Sequence, residues 1–193
     1  MSNTRGVAAI FVGALAISYS SVWGQDTPAL RELGAMVRPA APVELATEPV
    51  TVRVAMTPEA RARIESAMPP SSETKLILTV EGIKFDTPPG VHYEVYINLP
   101  RNEQPNYKSP YFVGNLTFFV ERHAGAAEHP YVARFDITRN VRELKALNLW
   151  NDAELSVTFV IRGLVDREGR PLPVSPGVRA RFDNVKIAAI TPQ

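Results

Sequence analysis

Along most of the chain, apolar and polar residues alternate one by one, the period of a strand that buries a single face. Residues 49–56, "PVTVRVAM", set Val50, Val52 and Val54 against Thr51, Arg53 and Ala55. Leu76, Leu78 and Val80 share one face of a second strand. Val91, Tyr93, Val95, Ile97 and Leu99 share one face of a third, opposed by His92, Glu94, Tyr96 and Asn98. "YFVGNLTFFVER" is apolar on both faces, as a central strand covered on both sides would be, and Gly114 within it marks a close approach or a bulge. Tyr131, Ala133, Phe135 and Ile137 line a further face, as do Leu155, Val157, Phe159 and Ile161. In "VRARFDNVKIAAI" the face of Val178, Ala180 and Phe182 moves by one residue to Val185, Ile187 and Ala189, which predicts a bulge or bend near Asp183 and Asn184. The expected core is Tyr93, Val95, Ile97, Phe118, Phe135, Phe159 and Phe182.

Two stretches leave this period. "TPEARARIESAMPP" offers Thr57 as an N-cap, Pro58 at the first helical position and Pro69-Pro70 as a stop, so a short surface helix is expected over about 58–67. "TRNVRELKALNLW" offers Thr138 as a cap, a stripe of Val141, Leu144 and Leu147, and Asn148 as a terminator, giving a helix over about 138–148. About seven strands with one inserted helix predict a mainly β protein. Two amphipathic sheets must bury their inner faces against each other, so the expected architecture is an antiparallel β-sandwich.

The first residues follow another order: Arg5, an apolar run from Val7 to Tyr19, then Ser20 and Ser21. That is the sequence of a signal peptide, with cleavage expected after Gly24; the alternative is an uncleaved anchor. Either places the remainder outside the cytoplasm, periplasmic or secreted. Residues 25–48 are rich in Ala and Pro without sustained period and read as a linker, leaving 49–190 as the sandwich domain.

Composition narrows the chemistry. With 45% hydrophobic and 21% charged residues, the chain has material for a core. Its 21 Lys+Arg against 20 Asp+Glu leave a net charge of +1 and no basic run, so nucleic acid is not an expected partner. The absence of cysteine excludes disulfides, thiolate metal sites and Cys nucleophiles. His92, His123 and His129 are the only histidines. The last two, in "RHAGAAEHP", are weak candidates for a labile copper or zinc site, but no third ligand sits at useful spacing and exposed loop histidines are the favoured reading. No G-x-S-x-G elbow frames a Ser-His-Asp set. Asp152 and Glu154 flank a turn, 166–170 reads as a polar hairpin tip, and Gly82, Gly90 and Gly163 read as turn glycines. No catalytic residue and no cofactor are assigned.

"VEGIKFD" followed by "VHYEVYINLP" resembles the start of the C-terminal domain of polyphenol oxidases and tyrosinases, with His92-Tyr93-Glu94-Val95 where that domain carries a Lys-Phe-Asp-Val motif. The resemblance continues through "YFVGNLTFFVERH", "FDITRNVRELKALNLWNDAELSVTFVIRG" and "VRARFDNVKIA", about Pro49 to Ala188. It implies a sandwich that covers a dicopper catalytic domain and restricts its entrance. That catalytic domain uses six histidines, and this chain has three. The expected function is therefore noncatalytic: an exported accessory or cover domain that binds, shields or helps mature a tyrosinase-type copper oxidase. The alternatives are a generic carbohydrate- or protein-binding sandwich, with Tyr96 and Trp150 as stray aromatics, or a weak copper carrier. In "LPRNEQPNYKSPY" the candidate partner-binding anchors are Leu99, Tyr107 and Tyr111, each of which is equally well explained as rim packing. Tyr107, between Pro105 and Pro110, fits an anchor best.

Overall fold

The computed structural model of the chain describes residues 31–37, 42–45, 47–85, 91–118, 131–163, 167–168, 170 and 180–190. The expected signal peptide (1–24) and the segment with His123 and His129 lie outside these residues. In chain order the elements are β1 (Arg31–Val37), β2 (Val43–Leu45), β3 (Val50–Ala55), α1 (Pro58–Ser66), β4 (Lys75–Phe85), β5 (Val91–Ile97), β6 (Phe112–Leu116), β7 (Tyr131–Asp136), α2 (Thr138–Ala146), β8 (Glu154–Gly163), β9 (Ala180–Phe182) and β10 (Asn184–Ile190). The protein is mainly β, as its period-2 pattern predicts.

Two antiparallel sheets enclose one apolar core. The first runs β3-β8-β5-β6, so β6 is an edge strand rather than the central, doubly covered one its apolar run predicts, and Phe112, Val113 and Gly114 are only half-buried. The second is built on β4, with β7 along one side; β10 and then β9 follow along the other, with β1 outside β10 and β2 outside β9. Strands β1 and β2 fall in the stretch read as a linker; β2, with three residues, is too short to show a period, whereas β1 has seven. Rings cross between the sheets: Phe159 of β8 lies 5.0 Å from Phe182 of β9, centroid to centroid, and the Tyr93 hydroxyl donates to the Leu45 carbonyl at 3.1 Å. Each such buried ring contributes roughly 1.5–3 kcal/mol of hydrophobic stabilisation. Of the expected core, Tyr93, Val95, Ile97, Phe118, Phe159 and Phe182 are buried and Phe135 is half-buried.

The phase change near Asp183 takes a more specific form than a simple bulge. Asn184 pairs with Glu81 and Arg181 with Lys84, so the register against β4 is the same on both sides of Asp183. What changes is the face: Leu76, Leu78 and Val80 point into the core before Gly82, and Ile83 after it, while Val185, Ile187 and Ala189 give way to Phe182 and Ala180 at the same rung. Gly82 permits the crease, having φ +69° and an α-carbon so close to Asp183 that an added Cβ would lie 2.3 Å from its Oδ2. The extra residue sits elsewhere, in β4 against β7, between the pairs Val80–Ala133 and Ile83–Tyr131. Gly114 fulfils both of its expected roles: β6 shifts register beside it, and an added Cβ would meet the Phe135 ring at 3.2 Å.

Both helices appear, with one change of cap. Thr57 caps α1 by accepting the Ala60 N–H at 3.1 Å. Ile137, not Thr138, occupies the cap position of α2 and carries no acceptor. The Asp136 carboxylate accepts from the Thr138 N–H and hydroxyl, which frees the Thr138 oxygen to accept the Leu76 N–H of β4 at 2.8 Å. Asn148 ends α2 as expected: its φ is +56°, its N–H donates to Lys145 O, and Leu149 N–H donates to Leu144 O.

Candidate functional site

The connection from β5 to β6, residues 98–111, is braced at both ends. Asn98 turns the chain with φ +50°; its N–H donates to Ser156 O at 2.8 Å and its Oδ1 accepts the Ser156 N–H at 3.0 Å. Successive turns are closed by Glu103 N–H to Pro100 O, Ser109 N–H to Asn106 O, and Lys108 N–H to Asn106 Oδ1. At the far end Asn140 of α2 donates to the Pro110 and Phe112 carbonyls at 3.0 and 2.7 Å. Tyr107 stands on this frame with 63% of its surface exposed, and the Lys108 ammonium lies 5.6 Å from its ring centroid.

Beneath the loop lies a polar cluster that alternation alone hides. Glu94 and Tyr96 belong to the outer face of β5, yet both are buried. The Glu94 Oε2 accepts from the Tyr96 hydroxyl at 2.6 Å and from Arg162 Nε of β8 at 2.8 Å. Arg162 also turns Nη2 toward the Pro105 carbonyl at 3.5 Å, which ties the loop to the sheet. Burial, reinforced by the hydrogen bond to the Glu94 carboxylate and its charge, pushes the Tyr96 hydroxyl well above the usual phenol pKa, so it stays a donor. The one signal in the sequence was an acid on a polar strand face with an arginine 68 residues later.

The three expected anchors separate. Tyr107 is exposed, Leu99 is half-buried and packs against the core, and Tyr111 is only 3% exposed, its carbonyl accepting the Ile97 N–H. Tyr111 is therefore a packing residue, because its neighbour Phe112 joins β6 and carries it inward. Of the stray aromatics, Tyr96 is buried and Trp150 half-buried. His92 is half-buried on the outer face. Among the described residues, no group of three or more His, Cys, Asp or Glu is placed to hold a metal, and no helix is long and apolar enough to cross a membrane. Asp152 and Glu154 are engaged by Lys145 and Arg53, and Glu168 pairs with Arg170.

An open groove of about 840 Å³ lies between 72–75 and the start of α2. Its walls set Lys75, Arg139 and Arg142 against Glu73, Asp136 and Glu143, a balance that selects no ligand charge. Arg142 is occupied there, donating to the carbonyls of Ala67, Pro69 and Ser72.

Residues 33–170 match a family model described as a domain of unknown function, DUF7868. The chain belongs to this family. No curated protein matches it by sequence. Among solved structures, latent aurone synthase (polyphenol oxidase) from natural source is similar, with a TM-score of 0.50 and 18% identity across 93% of this chain and 33% of that one. Recombinantly expressed latent aurone synthase matches with a TM-score of 0.49 and 19% identity, across 86% of this chain and 30% of that one. The DUF7868 chain thus spans about a third of the length of those polyphenol oxidases, and what it shares with latent aurone synthase from natural source is the fold.

Proposed function

We propose that this chain is a noncatalytic cover or accessory domain, acting outside the cytoplasm, that binds a tyrosinase-type copper oxidase and shields its site or assists its maturation. The observation that carries the reading is Tyr107: a large, nearly rigid aromatic presented to solvent on a loop braced at both ends. Such a side chain loses little conformational entropy when it enters a partner's cavity. The likeness of fold to part of a latent polyphenol oxidase supports the choice of partner class. Membrane contact, in this reading, is limited to the N-terminal signal or anchor.

The test is addition of the purified chain to a tyrosinase-type catalytic domain encoded in the same genome. Saturable inhibition or stabilisation is expected, and Tyr107→Ala should weaken it by about 2 kcal/mol or more if Tyr107 is a hot spot. No association at micromolar concentration overturns the reading. The chain alone, supplied with copper, should not oxidise catechol; turnover with contaminating oxidase excluded would also sink it.

A further inference from the structure

We propose that Glu94 and Arg162 act as positioning residues for Tyr107, forming a latch whose release frees the middle of the loop, 100–109, while the sandwich stays folded and the loop's ends stay held at Asn98 and Pro110. The inference rests on the reading above only for its consequence in partner binding. The latch itself stands on geometry. Outer-face residues Glu94, Tyr96, Thr158 and Val160 are all buried, so the middle of the outer face of β5 and β8 is covered, and the loop is tied to it at Pro105. Arg162 is the residue that touches both layers, with Nε on the Glu94 carboxylate and Nη2 on the loop carbonyl. The planar fork of a guanidinium can make both contacts at once, whereas an ammonium is a single point. Tyr96 completes the set by occupying the same carboxylate oxygen, so Glu94 is held in the orientation that receives Arg162.

One buried polar atom favours release. Ser109 Oγ has no hydrogen-bond partner among the described residues, and opening would return it to water. The loop therefore gains solvation on opening while losing the Arg162 tether. This is the balance expected of a segment that opens locally rather than with the whole domain.

Hydrogen exchange on the full chain tests this. In Arg162→Ala, the amides of Glu103, Lys108 and Ser109, all bonded within the loop, should exchange about tenfold faster or more, while amides of β4 keep their protection. Arg162→Lys, which keeps the charge on Glu94 but lacks the fork, should also release the loop; wild-type protection in that variant would overturn the tether. Glu94→Gln keeps the volume and serves if Arg162→Ala does not fold. Unchanged exchange in the loop, or acceleration in step with β4, overturns the latch. Binding to the oxidase separates the two claims: weakened binding with Tyr107 intact is the expected result for a released loop. If wild type does not bind while the loop still responds, the functional reading fails and the latch stands.

Discussion

Arg142 and Arg162 each fasten a connection to the body of the sandwich, but with opposite electrostatics. Arg142 offers its guanidinium to three neutral carbonyls that follow α1, with no carboxylate among its hydrogen-bond partners, and its acceptors lie at the C-terminal end of a helix where a cation is favoured. Arg162 faces a carboxylate whose side chain is only 11% exposed. A buried charge left alone is costly, so Glu94 needs Arg162 more than Ala67 needs Arg142. The first arrangement spreads its contribution over several partly solvated groups, and the second concentrates it in one pair.

The largest effect should come from the concentrated pair. Arg162→Ala takes the paired cation from Glu94, and should cost about 2–3 kcal/mol, reduced from the value for a fully buried pair because Arg162 itself is 42% exposed and the released loop lets water reach the carboxylate. Urea unfolding measures it. Arg142→Ala should cost less, about 1–2 kcal/mol, since water can replace the guanidinium at partly solvated carbonyls. Should Arg142→Ala prove the worse of the two, the contrast drawn here is wrong.

The next test concerns Tyr96, whose pKa is raised in the fold. Below the ordinary phenol value of 10.0 both folded and unfolded states keep the proton and the group adds no pH dependence. Above it the unfolded state loses the proton first, so stability falls as pH rises. Tyr96→Phe should flatten that alkaline decline, read as melting temperature between pH 9 and 11, a range set by the phenol value. Tyr93 and Tyr111, also raised by burial, retain part of the slope. The smallest effect belongs to Tyr107→Ala, which should change stability by no more than about 0.5 kcal/mol because the side chain is exposed. A thermal melt of that variant separates anchor from packing residue.

What the sequence made legible followed from period. The inner face of β5 was readable because Val91, Tyr93, Val95 and Ile97 alternate, and Asn148 announced the end of α2 because few residues accept a positive φ. The outer face was not. Glu94 and Tyr96 look solvent-facing in a period-2 pattern, but Arg162, tied to the loop at Pro105, and the Phe112 ring beside Tyr96 lie over them. Thr138 looked like a cap for the same local reason, yet a contact with Leu76, 62 residues away, claims its oxygen. Tyr107 was the candidate anchor best read from sequence, since exposure on a proline-flanked loop is local; the burial of Tyr111 depends on strand pairing.

The crease at Gly82 and Asp183 also bears on how this chain can vary. Since both strands turn their other side inward at one rung, lengthening either by a single residue would turn half of that wall inside out and spare the other half. Lengthening both together by one residue would keep the strands paired in register but would still turn the part beyond the crease over. A length change that spares the lining must therefore come in matched, even steps on two strands whose paired residues, Glu81 and Asn184, lie 103 residues apart.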